Sequence, residues 1–400
     1  QDFRQMVSQN GFVRKFYEVI KTAAGNGIVG RFFATGVTPV TLDSLTSGFN
    51  ITKNLSTRST LNAAMGFTEA EVVEILRYFS GQKSVELDFN RLLPDLRKWY
   101  NGYMFHKKAT YRIYNPDMIL YFVTQYSKQH FQDYPEEIVD INIASDYSKI
   151  QRLFNIGNRQ HNIQVIEKIL QSGTVSAELT RQFNLEGDFK TDDFVSLLYY
   201  MGYLTIKEGD INMLVLENPN FVINSLFYDF FAEWLRDENA LQAQVPDVQQ
   251  IVKQLAQENN IGPFTGLVEE TLQSLSNRDY IRFDEKYLHL LFVVFGNQAG
   301  FYYVKSQPEI AHKYPDVMFL YRPPYFINHQ FVFEIKYLKK SESDKLESKK
   351  QQAREQLQSY MQNKETRDFI VRPEYGMETV IGYAIVFVGE QAASIEEVSI

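Results

Sequence analysis

The sequence predicts a multidomain protein that combines α/β and α+β regions, and three observations lead to this prediction. The chain has 400 residues, which is enough for two or three domains. Apolar residues at helical spacing alternate with short β-like runs through its first half. A glutamine-rich polar stretch, LQAQVPDVQQIVKQLAQEN, then precedes a C-terminal region with its own succession of helices and strands.

Composition excludes several kinds of site. The chain has no cysteine, which excludes disulfides, thiolate metal sites and a cysteine nucleophile. The net charge of −8 argues against a uniformly basic surface for nucleic acid, although a local basic groove is compatible with it. No apolar run approaches the roughly 20 residues of a membrane span, and no signal peptide is visible. We therefore expect a cytoplasmic protein without membrane contact, processed or cut from a longer chain because it begins with Gln1.

The first glycine motif does not indicate a dinucleotide site. Gly25, Gly27 and Gly30 match the spelling G-x-G-x-x-G. A dinucleotide fingerprint requires a strand before the glycines and a helix after them, and here a helical pattern comes first. We interpret the motif as a loop that leads into a buried strand, RFFATGVTPV, which ends at Gly36.

Cap and turn residues predict the next elements. Asn62 or Thr68 caps a helix that contains TEAEVVEILRYF. The aromatic residues of 96–105 are expected to form a compact core around an Asn-Gly turn rather than to stack on bases. The pair Asn115 and Pro116 begins another apolar helix.

A helix followed by a hairpin, DDFVSLLYYMGYLTIKEGDINMLVL, predicts a winged-helix-like unit in the middle of the chain. It carries no basic recognition face, so a structural spacer is the favoured role. Pro246 either breaks or starts a helix in the glutamine-rich linker that follows.

The strongest chemical signal lies between Phe301 and Tyr337, which we interpret as two β-runs joined by a turn. Asp316 enters the first run. Glu334 and Lys336 lie two residues apart in the second run, so their side chains share one face. If the runs pair, two carboxylates and a lysine converge at a sheet edge. Neighbouring carboxylates repel each other unless a cation lies between them, and a plain salt bridge is the structural alternative.

Predicted helices flank these runs. His289 lies in the preceding helix, DEKYLHLLFVVFG, with Asp284 as its cap and Gly296 as its stop. Gln356 and Tyr360 lie four residues apart in the following helix and share a face. Taken alone, a histidine between leucines is more often a core or surface residue, and the Gln-Tyr pair is an ordinary polar stripe.

The helix after Lys336 is rich in both charges. We favour a solvated face with ion pairs between neighbouring turns. Three of its lysines are nevertheless candidates for contacts with phosphates, namely Lys339, Lys340 and Lys349. Such contacts grip the backbone and imply no sequence specificity.

The stretches FFATGVTPV, GFTEAEV, KWYNGYMF and YNPDMILYF resemble, in this order, the AAA-ATPase-like family of bacterial proteins. Members of that family commonly carry a C-terminal PD-(D/E)XK nuclease domain. The resemblance implies a partial ATPase-like region, a helical or winged-helix-like middle, a helical linker and a restriction-endonuclease-like nuclease domain with an αβββαβ core, over 1–150, 151–240, 241–280 and 281–400. The family's phosphate-binding loop has no counterpart here, so ATP is not expected to bind this chain.

Pro315-Asp316 and Glu334-Ile335-Lys336 match the PD-(D/E)XK motif. Asp316, Glu334 and the carbonyl of Ile335 are then expected to bind Mg²⁺ or Mn²⁺, because these cations prefer oxygen ligands. Lys336 is expected to orient water or hold the phosphate. The motif thus predicts a metal-dependent nuclease that acts on DNA.

Further residues resemble RecB-like members of that superfamily. His289 corresponds to their histidine metal ligand, and Gln356 with Tyr360 corresponds to their Q-x-x-x-Y pair beside the active site. Glu309 is expected behind the ligands or in solvent. One departure is Tyr314 and the proline after it, which stand where the family has Gly-Arg.

The alternative interpretation is a catalytically idle protein with a nuclease fold. It would bind nucleic acid or act as a scaffold, and it would depend on a missing ATPase half or on a protein partner. The sequence leaves open the oligomeric state and the choice between DNA and RNA.

Overall fold

A computed structural model describes residues 12–36, 55, 57–140, 153–154, 156–180, 189–209, 213–238, 240–275, 284–308, 310, 314–371 and 379–398. The chain divides into two compact units. The first consists of Gln1–Ser127 and Val139–Ile223, and the second of Lys128–Ile138 and Asn224–Ile400. The four domain ranges expected from the sequence stay a prediction.

The first unit is mainly helical. Its described elements are α1 (Phe12–Gly25), α2 (Glu69–Gly81), α3 (Phe89–Tyr100), α4 (Pro116–Lys128), α5 (Arg159–Ser172), β1 (Thr174–Ala177), α6 (Thr191–Tyr200), β2 (Thr205–Gly209) and β3 (Leu214–Glu217). The three strands form an antiparallel sheet in the order β1-β3-β2. The hairpin of β2 and β3 is as predicted, and the winged-helix-like interpretation stays a prediction.

Caps and aromatic packing in this unit follow the sequence. Thr68 caps α2 and forms a capping box with Glu71. The alternative cap, Asn62, is buried instead and accepts a hydrogen bond from the backbone N–H of Phe105. Trp99 and Tyr100 are fully buried. The prediction that this aromatic cluster forms a core is therefore confirmed.

The predicted strand RFFATGVTPV is wrong for its described part. Residues 31–36 contain no strand, and the side chain of Phe33 is 74% exposed. A strand needs a paired neighbour for its backbone groups, and no described strand pairs with this stretch. Residues 37–40 lie outside the described residues. The preceding glycine motif is a loop after α1, as predicted, with Gly27 at a φ of +73°.

The second unit contains α7 (Phe221–Asp237, whose first residues belong to the first unit), α8 (Val245–Glu258), α9 (Gly262–Leu275), α10 (Glu285–Gln298), β4 (Tyr302–Ser306), β5 (Val317–Tyr321), β6 (Gln330–Leu338), α11 (Leu346–Met361), α12 (Lys364–Ile370), β7 (Val380–Val388) and β8 (Gln391–Val398). Pro246 lies in the first turn of α8, so it starts a helix rather than breaking one. None of the described helices combines the length and the hydrophobicity that a transmembrane span requires.

The described strands of this unit form a mixed sheet in the order β4-β5-β6-β7-β8. Strand β6 pairs in parallel with β7, and the other neighbours are antiparallel. The two β-runs predicted between Phe301 and Tyr337 are therefore three strands, because the chain leaves the sheet between β4 and β5. This gives the expected αβββαβ succession and adds β8, which the sequence did not predict.

Helix α10 packs on this sheet, and Asp284 caps it by accepting a hydrogen bond from the N–H of Tyr287. Gly296 does not stop the helix, which continues to Gln298. A Cβ on Gly296 would lie 2.3 Å from the ring of Phe319 in β5. The glycine therefore allows a close approach of helix and sheet, and this packing role explains why its interpretation as a stop was wrong.

Candidate metal centre

The register of the sheet brings the predicted acids together. Val317 of β5 lies opposite Phe333 of β6, and one step further along this register Asp316 faces Glu334. Both side chains are buried. The N–H of Ile335 donates a hydrogen bond of 2.8 Å to Oδ2 of Asp316, which fixes that carboxylate. Asp316 and Glu334 therefore meet where β5 begins beside β6, the central strand of the sheet. The predicted position at a sheet edge implied an outer strand instead.

Lys336 is buried among three carboxylates. Its Nζ lies 2.7 Å from Oε1 of Glu334, 3.5 Å from Oε1 of Glu285 and 3.8 Å from Oδ2 of Asp316. Burial alone would lower the pKa of Lys336, but the charges of Asp316 and Glu334 outweigh it and raise the pKa. The side chain therefore stays an ammonium at neutral pH.

Glu334 is only partly compensated by this ammonium. Burial, reinforced by the charge of Asp316, raises the pKa of Glu334 to about 8. Its Oε2 is buried and has no hydrogen-bond partner among the described residues. A buried carboxylate oxygen without a partner is costly, so this oxygen is a place where a cation would be bound favourably.

Helix α10 supplies two further side chains. Nε2 of the buried His289 lies 3.5 Å from Oδ2 of Asp316 and has no hydrogen-bond partner among the described residues. Glu285 lies one turn earlier on the same face. Glu285, His289 and Asp316 each offer a ligand atom, and these atoms lie within 4.8 Å of one another. Glu285 was not among the ligands predicted from the sequence, although its spacing of four residues from His289 was a usable signal.

The carbonyl of Ile335 was the other predicted ligand. In a strand the N–H and C=O of one residue point to the same side, and the N–H of Ile335 points toward Asp316. Its carbonyl therefore points to the same side of β6 as Asp316. At this level of β6 the neighbouring strand β5 has not yet started. This orientation is compatible with a ligand, while its role stays a prediction.

A cavity of about 620 Å³ opens over these groups. One wall is α11, where Gln356 and Tyr360 share a face as predicted. The hydroxyl of Tyr360 donates a long hydrogen bond of 3.5 Å to the carbonyl oxygen of Tyr314. Burial, followed by the charge of Glu334, raises the pKa of Tyr360 to about 12, so this hydroxyl keeps its proton. The described lining residues are Glu285, Tyr314, Asp316, Glu334, Lys336, Glu355, Gln356, Ser359 and Tyr360.

The charged segment after β6 forms ion pairs between neighbouring turns, as favoured from the sequence, and also pairs with the last hairpin. Its described ion pairs are Lys345 with Glu342 and Lys350 with Glu347 inside the segment, and Lys340 with Glu390 and Arg354 with Glu396 outside it. Lys349 instead donates to the amide oxygen of Gln352 and lies seven residues before Gln356, on the same side of α11. Contacts of Lys339, Lys340 and Lys349 with phosphates stay a prediction.

The donor set fits a divalent cation. Carboxylate and carbonyl oxygens with a single imidazole suit Mn²⁺, and the oxygens alone suit Mg²⁺. Nε2 of His289 belongs to the group with Glu285 and Asp316, and in the described part of the chain neither this atom nor Oε2 of Glu334 has a hydrogen-bond partner. Asp316 follows Tyr314 and Pro315, and its carboxylate is held by the N–H of Ile335. Glu309 lies outside the described residues.

Comparison with known proteins agrees with this geometry. Residues 283–397 match the family model described as the PD-(D/E)XK nuclease superfamily. The match runs from α10 through β8. It therefore includes the five-stranded sheet, Asp316, Glu334 and helix α11 on the wall of the cavity. No curated protein matches the chain. A PD-(D/E)XK nuclease superfamily domain is thus shown for 283–397, whereas the AAA-ATPase-like region and the RecB-like assignment stay predictions.

Proposed function

We propose that this chain is a metal-dependent nuclease that hydrolyses phosphodiester bonds of DNA. The observation that carries the proposal is the group of Glu285, His289 and Asp316, whose ligand atoms lie within 4.8 Å of one another beside the buried carboxylate of Glu334. The match of residues 283–397 to a nuclease superfamily supports the same conclusion.

Asp316, Glu334, His289 and the carbonyl of Ile335 are the groups that we propose hold Mg²⁺ or Mn²⁺. A cation bound there would lower the pKa of a bound water and offset negative charge at the phosphate. Asp316 is oriented for this role by the N–H of Ile335. Glu285 would either complete the ligand set or hold Lys336, which it approaches at 3.5 Å.

Lys336 acts as a hydrogen-bond donor in this proposal. The charges of Asp316 and Glu334 raise the pKa of Lys336 and so favour its ammonium form. Its ammonium would donate to a phosphate oxygen or orient the attacking water. The amide of Gln356 and the protonated hydroxyl of Tyr360, both on the cavity wall, would bind the phosphate from the side of α11.

The test is cleavage of plasmid DNA and of linear single strands with Mg²⁺ or Mn²⁺. We expect Asp316→Asn and Lys336→Met to reduce the rate at least about 100-fold, because each removes an electrostatic contact to the reacting group. Lys345→Met is the matched control, since Lys345 pairs with Glu342 and is not among the described residues that line the cavity.

Equal rates in wild type and Lys336→Met, or no cleavage by the wild type, would contradict the proposal. Metal-dependent DNA binding without cleavage would instead support the catalytically idle alternative. That binding would then be measured again with a separate ATPase half or another protein partner added.

A further inference from the structure

Tyr314 is an aromatic residue among those that line the cavity of the candidate metal centre. The residue is 50% exposed and lines the cavity together with Asp316 and Glu334. Single exposed aromatic rings are ordinary on protein surfaces. Phe326 is such a ring, since it is 92% exposed and is not among the described lining residues. The position of Tyr314, two residues before a proposed metal ligand, distinguishes it.

The backbone of Tyr314 is held in place. The next residue, Pro315, is buried, and a proline restricts the residue before it to extended conformations. The carboxylate of Asp316 is fixed by Ile335, and the carbonyl of Tyr314 accepts a hydrogen bond from Tyr360. A tyrosine has only two side-chain torsions, so ordering its ring against a ligand costs little conformational entropy.

The charges of the cavity show why a ring would be useful there. Among the described lining residues, four are carboxylates and one is a lysine, namely Glu285, Asp316, Glu334, Glu355 and Lys336. Such a wall attracts a phosphate only where a cation or Lys336 offsets the acids. Base stacking on an aromatic ring contributes affinity that does not depend on charge or on base identity.

We propose that Tyr314 stacks on the nucleobase next to the phosphate bound at Asp316, and that the site therefore selects strands with unpaired bases. Positions two residues apart in extended chain are separated by about 7 Å, so the ring can reach a base of the bound nucleotide. Bases inside a duplex have both faces covered by their neighbours, whereas a single strand or frayed end exposes a face. This inference rests on the proposed nuclease function and specifies its substrate class.

The test uses a single-stranded oligonucleotide with a nuclease-resistant phosphorothioate backbone that contains 2-aminopurine, in the presence of Mn²⁺. Stacking on Tyr314 is expected to quench 2-aminopurine fluorescence in the wild type, and Tyr314→Ala is expected to lose the quenching and to bind about tenfold more weakly. Tyr314→Phe keeps the ring and should retain both. Phe326→Ala is the matched control for loss of an exposed ring.

A duplex of the same sequence is expected to bind wild type and Tyr314→Ala equally. Single strands of DNA and of RNA are compared, and a Tyr314-dependent effect on either supports the inference. Unchanged binding and quenching by Tyr314→Ala on both strands would overturn it. Equal losses on single strand and duplex would also overturn it, because the contact would then not select unpaired bases.

The outcomes separate this inference from the proposed function. Cleavage by the wild type with no effect of Tyr314→Ala rejects the stacking role alone. Quenching that depends on Tyr314, in a protein that cleaves no substrate, rejects the nuclease function and retains the stacking contact.

Discussion

Glu334 is a buried carboxylate whose charge is only partly compensated by the described residues around it. It is buried on the central strand, its pKa is raised to about 8, and one of its oxygens has no partner among the described residues. A structural salt bridge with Lys336 would satisfy one oxygen and leave the other buried. The buried pair of Glu334 and Lys336 therefore stabilises the fold less than two apolar side chains in the same positions would. This favours a binding role for Glu334 over a purely structural one.

Glu285 gives the residue-scale prediction. We expect Glu285→Gln to weaken Mn²⁺ binding about tenfold, because it removes a charge from the group formed with His289 and Asp316. Isothermal titration calorimetry measures the change. Glu355→Gln is the matched control, since Glu355 lines the same cavity but accepts a hydrogen bond from Gln351. An unchanged affinity in Glu285→Gln would place Glu285 outside the metal site.

At the scale of elements, the contact between α10 and β5 positions His289 over the sheet. We expect Gly296→Ala to destabilise the protein by about 1–3 kcal/mol, because its Cβ would overlap the ring of Phe319. Gly266→Ala in α9 is the matched control, since a Cβ there meets no atom within 4 Å. That change should be neutral or stabilising by up to about 1 kcal/mol.

Urea unfolding measures both variants. Equal stability of Gly296→Ala and Gly266→Ala would show that the helix does not lie as close to β5 as described. Metal affinity of Gly296→Ala provides a second readout, because any shift of α10 also moves His289 and Glu285.

Elements with local signals were predictable from the sequence. The caps Thr68 and Asp284, and Pro246 at the start of α8, act within one helical turn, so their residue types suffice. The convergence of Asp316 and Glu334 was also predictable, because strand periodicity and pairing define it.

Features that depend on contacts between distant residues were not predictable in this way. Gly296 resembles a helix stop until the ring of Phe319 is known to pack on it. Residues 31–36 have strand-like composition, but no described strand pairs with them. The spacing of Glu285 from His289 is a signal in the sequence, but its approach to Lys336 follows only when α10 lies over the sheet.

At the scale of the whole molecule, a residue far in sequence from the candidate metal centre, Glu167, contributes to the pH dependence of stability. Glu167 of α5 is half-buried, and burial raises its pKa to about 7. In the unfolded chain a glutamate titrates near 4.3. Between these values the folded state binds more protons, so this residue makes stability fall as pH rises, by at most about 1.4 kcal/mol per pH unit.

We expect Glu167→Gln to remove this loss of stability. The free energy of unfolding of the variant minus that of wild type should therefore increase from pH 5 to pH 8. Urea unfolding followed by fluorescence of Trp99, with Trp234 replaced by Phe in every variant, reports on the first unit. Exposed Glu178 provides the control Glu178→Gln. A difference between Glu167→Gln and wild type that is constant over this pH range would contradict the prediction.

The central claim is that Asp316, Glu334 and His289 hold a divalent cation. Anomalous diffraction from a crystal soaked in Mn²⁺ tests it most directly. We predict one anomalous peak in the cavity within about 2.0–2.3 Å of an Asp316 oxygen, a Glu334 oxygen and Nε2 of His289. The contrary result is a crystal in which Mn²⁺ fully occupies another site while the cavity shows no anomalous peak and Lys336 still pairs with Glu334. That result would contradict the claim.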